Sequence, residues 1–227
     1  MTTVATRKYS TYRRMPWRNG RGFTLEIARE PATGEDFAWR LSLADIERDG
    51  DFSAYPGYRR AIVLVAGERL HLRFRGHGSR VLDPARRGAR FEGDWETHCA
   101  IPGGRCTDLS LIVRRGSGAR PGSIVRAPRM LRVKSSGRVV AATNLHGALF
   151  VIAGSVAVTE SIRARSRIIR ARDTLLLSPG PQRTLRLRSL DRSAAQLVLL
   201  SWRPGGPNIT VPGRCGRGRQ RYYRRRQ

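Results

Sequence analysis

The chain has 227 residues, 40% of them hydrophobic, which suffices for a packed core and excludes a disordered composition. Its net charge is +27, from 44 basic and 17 acidic residues, and only Lys8 and Lys134 of the basic residues are not arginine. Three cysteines (Cys99, Cys106, Cys215) are too few for a disulfide framework, and the longest clean apolar run, 61–66, is far short of the roughly 20 residues of a membrane-spanning helix.

In chain order, residues 1–20 carry basic residues but no apolar stretch of signal-peptide type, which points to a soluble cytoplasmic protein without membrane contact. Helix signals are nearly absent. Residues 37–46 alternate, with Phe37, Trp39, Leu41 and Leu43 on one face and Ala38, Arg40, Ser42 and Ala44 on the other, which predicts a strand. Residues 60–65 read as a short buried strand, Gly67-Glu68 as a turn, and 70–75 as the returning arm of a hairpin. Residues 110–113 form a further strand. The pattern then restarts, with short strands expected at 138–142, 148–153, 155–159, 167–170, 174–177, 184–188 and 196–202, each bounded by turn residues. Such even spacing is the mark of a sandwich or barrel.

An internal parallel supports two copies of one unit. Val63-Leu64-Val65-Ala66-Gly67-Glu68 and Phe150-Val151-Ile152-Ala153-Gly154-Ser155 both run from an apolar strand into a glycine-centred turn. The expected architecture is all-β: two jelly-roll-like barrel lobes stacked in one compact unit. They are placed at 9–115 and 129–203, with a linker at 116–128 and a disordered Arg-rich tail at 204–227. The charge divides unevenly, with 19 basic and 14 acidic residues in 1–113 against 25 and 3 in 114–227. One reading is a polyanion-binding second half; the other is arginine drift at solvent-facing strand positions, as in Leu185-Arg186-Leu187-Arg188. The alternation favours the second, leaving nucleic acid as the weaker partner.

The densest polar motifs lie in the first half. Met15-Pro16-Trp17-Arg18-Asn19-Gly20, Trp39-Arg40-Leu41-Ser42, Asp49-Gly50-Asp51-Phe52-Ser53, Pro56-Gly57-Tyr58-Arg59-Arg60, Phe91-Glu92-Gly93-Asp94-Trp95 and Asp108-Leu109-Ser110-Leu111-Ile112-Val113-Arg114-Arg115 follow one another in this order. The series resembles the HutD/Ves family. It departs from the family pattern at Arg18, Arg21, Arg59 and Ser110, where lysine, glycine, aspartate and asparagine are usual. The resemblance implies a bicupin associated with histidine utilisation, with no established catalytic activity, that binds an intermediate such as formylglutamate and restrains the pathway.

The residues themselves agree in part. A small carboxylic acid needs a planar two-pronged donor, and Arg40 and Arg60 are the candidates. Asn19, Ser42 and Ser53 are candidates for a neutral hydrogen-bonding shell, and Trp17 or Trp39 for its wall. The alternative for Arg40 is a structural ion pair with Asp45, Asp49 or Glu26, and Asp94-Trp95 read as a tight turn with a packed aromatic. No cofactor and no metal are expected: the four histidines (71, 77, 98, 146) form no HxH pair, and no nucleophile elbow, phosphate loop or HExxH motif is present. A metal-independent cupin-type enzyme acting on a small acid stands as the alternative to a non-enzymatic binder of an anionic metabolite. The sequence is compatible with a homodimer.

Overall fold

The computed structural model describes residues 4–17, 23–34, 36–116, 122–160 and 165–206. The first strands are β1 (Val4–Arg7), β2 (Arg13–Pro16), β3 (Phe23–Glu30), β4 (Trp39–Ile46) and β5 (Gly50–Asp51). Then come β6 (Tyr58–Ala66), β7 (Leu70–Phe74), β8 (Gly78–Leu82), β9 (Gly88–Glu92), β10 (Thr97–Ala100) and β11 (Cys106–Arg114). The second half begins with β12 (Ile124–Val125), β13 (Arg129–Val133), β14 (Ser136–Ala141), β15 (His146–Ala153) and β16 (Ser155–Thr159). It ends with β17 (Arg167–Arg170), β18 (Thr174–Leu177), β19 (Arg183–Ser189) and β20 (Ala195–Arg203). A single 3-10 turn at Tyr9–Thr11 is the one helical element among the described residues, and no helix there is long and apolar enough to cross a membrane.

The strands form four sheets. In the first lobe a six-stranded sheet, β2-β3-β4-β11-β6-β9, faces a four-stranded one, β5-β10-β7-β8. The second lobe repeats the plan: β1-β18-β15-β20-β12, with β13 also on β20, faces β14-β19-β16-β17. The fold is therefore the expected bicupin of two stacked β lobes. Val4–Arg7 crosses from the chain start to pair with β18 of the second lobe, and Ile124–Val125 pairs with Arg203 and Trp202 on β20.

Three apolar clusters hold the layers. The first lies between the two six-stranded sheets, where Trp39, Leu41, Leu43, Leu109, Leu111 and Val113 meet Ala148, Phe150, Val198, Leu200 and Trp202. Each large sheet is thus covered on both faces, and its central strands β6, β11, β15 and β20 read as nearly continuous apolar runs. The second cluster fills the second lobe with aliphatic side chains alone, from Val133 to Leu199. The third fills the first lobe around Ile62, Leu64, Leu72, Phe74, Phe91, Cys99 and Cys106. The lobe interiors differ in chemistry, since polar side chains share the first with its apolar residues.

The duplicated turn has a steric basis. Gly67 and Gly154 both stand at positive φ, +96° and +84°. A Cβ on Gly67 would lie 2.8 Å from Cys106 Cα, and one on Gly154 3.1 Å from Ala195 Cα. Cys106 and Ala195 open β11 and β20, so the same close approach of a turn to the last long strand recurs in each lobe.

Candidate ligand-binding site

Register places the polar residues of the first lobe on one face. Arg40 on β4 and Arg60 on β6 are both opposite Ile112 of β11, so the two guanidinium-bearing side chains flank one central strand on the same side. Ser42 and Ser110 are paired one step along, with Glu26 beside Ser42, and Asp108 follows two residues from Ser110. The alternate residues of the same strands, Trp39, Leu41, Leu109 and Leu111, belong to the seam between the lobes. Period-two alternation thus divides these strands into a seam face and an inner face carrying Arg40, Ser42, Arg60, Asp108 and Ser110.

The inner-face groups are deeply placed. Arg60 is 7% exposed and Asp108 2% exposed, while Arg40 is half-buried. Arg40 Nη2 donates to Tyr55 Oη at 2.7 Å, and its guanidinium lies 5.2 Å from the Phe37 ring. Arg60 Nη1 donates to the Ser53 carbonyl at 3.2 Å, and its guanidinium is ringed by Phe91 at 4.9 Å, Phe52 at 5.2 Å and Tyr55 at 5.6 Å. These aromatic faces stabilise the cation without neutralising it. Arg40 Nε, Arg60 Nε, Asp108 Oδ1, Ser110 Oγ and Glu26 Oε2 are buried with no hydrogen-bond partner. Such groups are few in a folded protein, and these five share one wall.

Burial dominates the electrostatics. It lowers the Arg60 pKa to about 10, against the attraction of Asp108 and with added repulsion from Arg40. Burial also raises the Asp108 pKa to about 7; Arg60 opposes the rise and Asp45 adds to it. The wall therefore carries two cations, the Glu26 carboxyl group already paired with Arg13, and the Asp108 carboxyl group poised near neutrality. Arg60 and Phe91 also line a cleft of ≈520 Å³ beside Trp95 and Pro128.

Of the expected site residues, the structure brings Arg40, Ser42 and Arg60 to one surface. Ser53 is exposed, and it reaches Arg60 through its backbone carbonyl rather than its hydroxyl. Trp17 is half-buried and donates from Nε1 to Thr24 Oγ1 at 2.8 Å, and Thr24 is paired with Ala44 on the inner face. Asn19 lies outside the described residues. Trp39 is on the seam face, bonded to Glu30 Oε2 and packed edge-on against Trp202, so it cannot wall the site. The three acids considered as partners of Arg40 are engaged elsewhere: Asp45 with Thr107, Asp49 with the Ile101 amide, Glu26 with Arg13. Asp94 and Trp95 follow the turn at Gly93, where Trp95 stacks on His77 at 4.2 Å.

Sequence reasoning missed Asp108, Ser110 and the aromatic ring around Arg60. A signal was present: Asp108 and Ser110 interrupt the apolar run 106–113 at alternate positions, which marks a polar face within a buried strand. Cupin folds often hold a metal, but the residues here do not fit one. No group of three or more His, Cys, Asp or Glu suited to an ion occurs among the described residues. His98 pairs with Asp51, His77 stacks on Trp95, and His146 stacks on Trp202 at the seam.

A family model matches residues 9–195, which is most of the chain. The chain belongs to the HutD family. A crystal structure of a conserved protein of unknown function from Pseudomonas aeruginosa PAO1 is similar at 31% identity with a TM-score of 0.75, over 88% of this chain and 98% of that one. HutD from Pseudomonas fluorescens SBW25, in a formate condition, is 28% identical with a TM-score of 0.66, over 88% of this chain and 100% of that one. Among curated sequences, an uncharacterised 21.2 kDa protein in the hutC 3' region of Pseudomonas putida is 46% identical over 102 residues, 44% of this chain and 53% of that protein. Protein Ves of Citrobacter koseri is 35% identical over 112 residues, 48% and 58% of the two chains. The chain spans about half the length of these curated relatives.

Proposed function

We infer that the inner face of the first lobe binds a small carboxylic acid of the formylglutamate type, and that the protein modulates histidine utilisation in the cytoplasm without turning its ligand over. The observation that carries this reading is the Arg40–Arg60 pair. Two guanidinium groups on one inner wall, each with an unpartnered Nε, repel one another and are only partly offset by Asp108. A carboxylate between them supplies the missing counter-charge through two-pronged hydrogen bonds. Ser42 and Ser110 add hydroxyls for the remaining oxygens, and the rings of Phe52, Tyr55 and Phe91 keep the contact dry. Family membership supports the link to histidine utilisation.

The test is thermal unfolding with formylglutamate, glutamate and formate at millimolar concentration and two salt concentrations. A ligand at about 100 times its Kd stabilises by about 2.7 kcal/mol, a rise of roughly 5–10 °C for a chain of this size. The rise should vanish in Arg60→Met and shrink in Arg40→Met. No shift with any acid, or an undiminished shift in both variants, refutes the site. Conversion of the acid, followed by NMR, refutes the non-enzymatic role.

A further inference from the structure

We propose that the outward face of the β14-β19-β16-β17 sheet is a second binding surface, one that takes the phosphodiester backbone of single-stranded nucleic acid. A groove of ≈470 Å³ crosses this face, lined by Arg138, Arg186 and Arg188 with the hydroxyls of Ser136, Thr159 and Ser166. The arginines stand on a grid. Arg186 is directly opposite Arg138 on one side and Thr159 on the other, and Arg188 is opposite Ser136 and Ala157. Like charges directly opposite on neighbouring strands destabilise a sheet, so this arrangement calls for an external anion.

No carboxylate offsets these charges, since none of the three arginines makes an ion pair or hydrogen bond among the described residues. The three acidic residues of the second half are engaged elsewhere: Asp173 with Lys8, Asp191 with the Ser155 amide, and Glu160 facing Arg183 at 4.0 Å. The first lobe is built differently. There Arg59, Arg75, Arg105 and Arg115 all meet a Glu or Asp. These four first-lobe arginines thus have acid partners, whereas Arg138, Arg186 and Arg188 have none among the described residues.

The chemistry selects the occupant. Arg186 and Arg188, two residues apart on one strand, are separated by about 7 Å, comparable with adjacent phosphates along an extended strand. Guanidinium forks match phosphodiester oxygens in plane and number. Arg170 on the neighbouring β17, opposite Ser155 of β16, is exposed on the same face and extends the basic track beyond the groove. The groove has no aromatic lining, so bases gain no stacking and recognition is independent of sequence.

The experiment uses the full chain and a fluorescent oligothymidylate, read by anisotropy across a salt series. The triple variant R138Q/R186Q/R188Q should bind about tenfold more weakly or worse, and its log–log salt slope should flatten by about 2, as expected for three lost phosphate contacts. A charge-matched control at exposed first-lobe arginines, R48Q/R69Q/R73Q, should lose less than about threefold. R138K/R186K/R188K should retain most of the binding, which separates lost contact from a folding defect. Equal losses in both glutamine triples would reduce the effect to bulk charge and overturn the proposal. So would undiminished binding in the groove triple, or preference for phosphatidylserine vesicles or free phosphate over the oligomer.

Discussion

Asp108→Asn isolates the inner-wall carboxyl with almost no change of shape. In the fold, burial holds the Asp108 pKa at about 7, against an ordinary carboxyl value of 3.8. An acid whose pKa is raised by folding keeps its proton longer in the native state than in the unfolded chain. Its contribution to stability is therefore full below about pH 4, declines as pH rises through about 7, and is level above that. The shift of about three units corresponds to roughly 4 kcal/mol at pH 8, at about 1.4 kcal/mol per unit. Asparagine is neutral throughout and escapes that loss. The variant should therefore gain on the parent as pH rises, by roughly 2 to 3 kcal/mol between pH 5 and pH 8. Urea unfolding of both proteins at several pH values, with linear extrapolation, measures the difference directly. A variant-minus-parent difference that stays flat from pH 5 to pH 8 would refute the burial argument, as would one that falls.

Three further outcomes follow from the packing and electrostatics. Arg60→Met removes the cation that opposes the Asp108 shift, so the carboxyl should titrate above its present value of about 7, seen as a higher midpoint for the Asp108 side-chain carbon in NMR. Gly67→Ala puts a Cβ at positive φ and 2.5 Å from Cys106 Cβ, whereas Gly104→Ala meets only open space at φ +82°; thermal unfolding should show a loss of about 2–3 kcal/mol for the first and about 1 kcal/mol for the second. Burial raises the thiol pKa of both Cys99 and Cys106, the latter to about 12, so neither should react with a thiol reagent at pH 8 until the chain unfolds, as peptide mapping would show.

The two faces of the protein's strands are read with unequal ease. In 37–46 the alternation divides Arg40 and Ser42 from Trp39 and Leu41 correctly, and β4 keeps that division. What the alternation does not state is that both faces are covered. The side bearing Arg40 looks like a solvated face in sequence, yet it becomes the interior of a lobe because a second sheet closes over it. The same ambiguity hid Asp108: in an apolar run a single carboxylate reads as an irregularity, and it becomes meaningful only when β4 and β6 bring Ser42, Ser110 and Arg60 alongside. Trp39 shows the reverse error, since adjacency to Arg40 in the chain guarantees opposite sides of the sheet.

By itself the sequence determined the all-β class, the repeated strand–glycine–strand unit and the family, because strand period, turn glycines and motif order are properties of neighbours along the chain. Only the tertiary structure decided which faces are enclosed, which acids are already engaged, and that one lobe has a polar interior while the other has an open arginine grid outside. Those depend on pairings between strands far apart in sequence, where register, and not proximity along the chain, sets which charges meet.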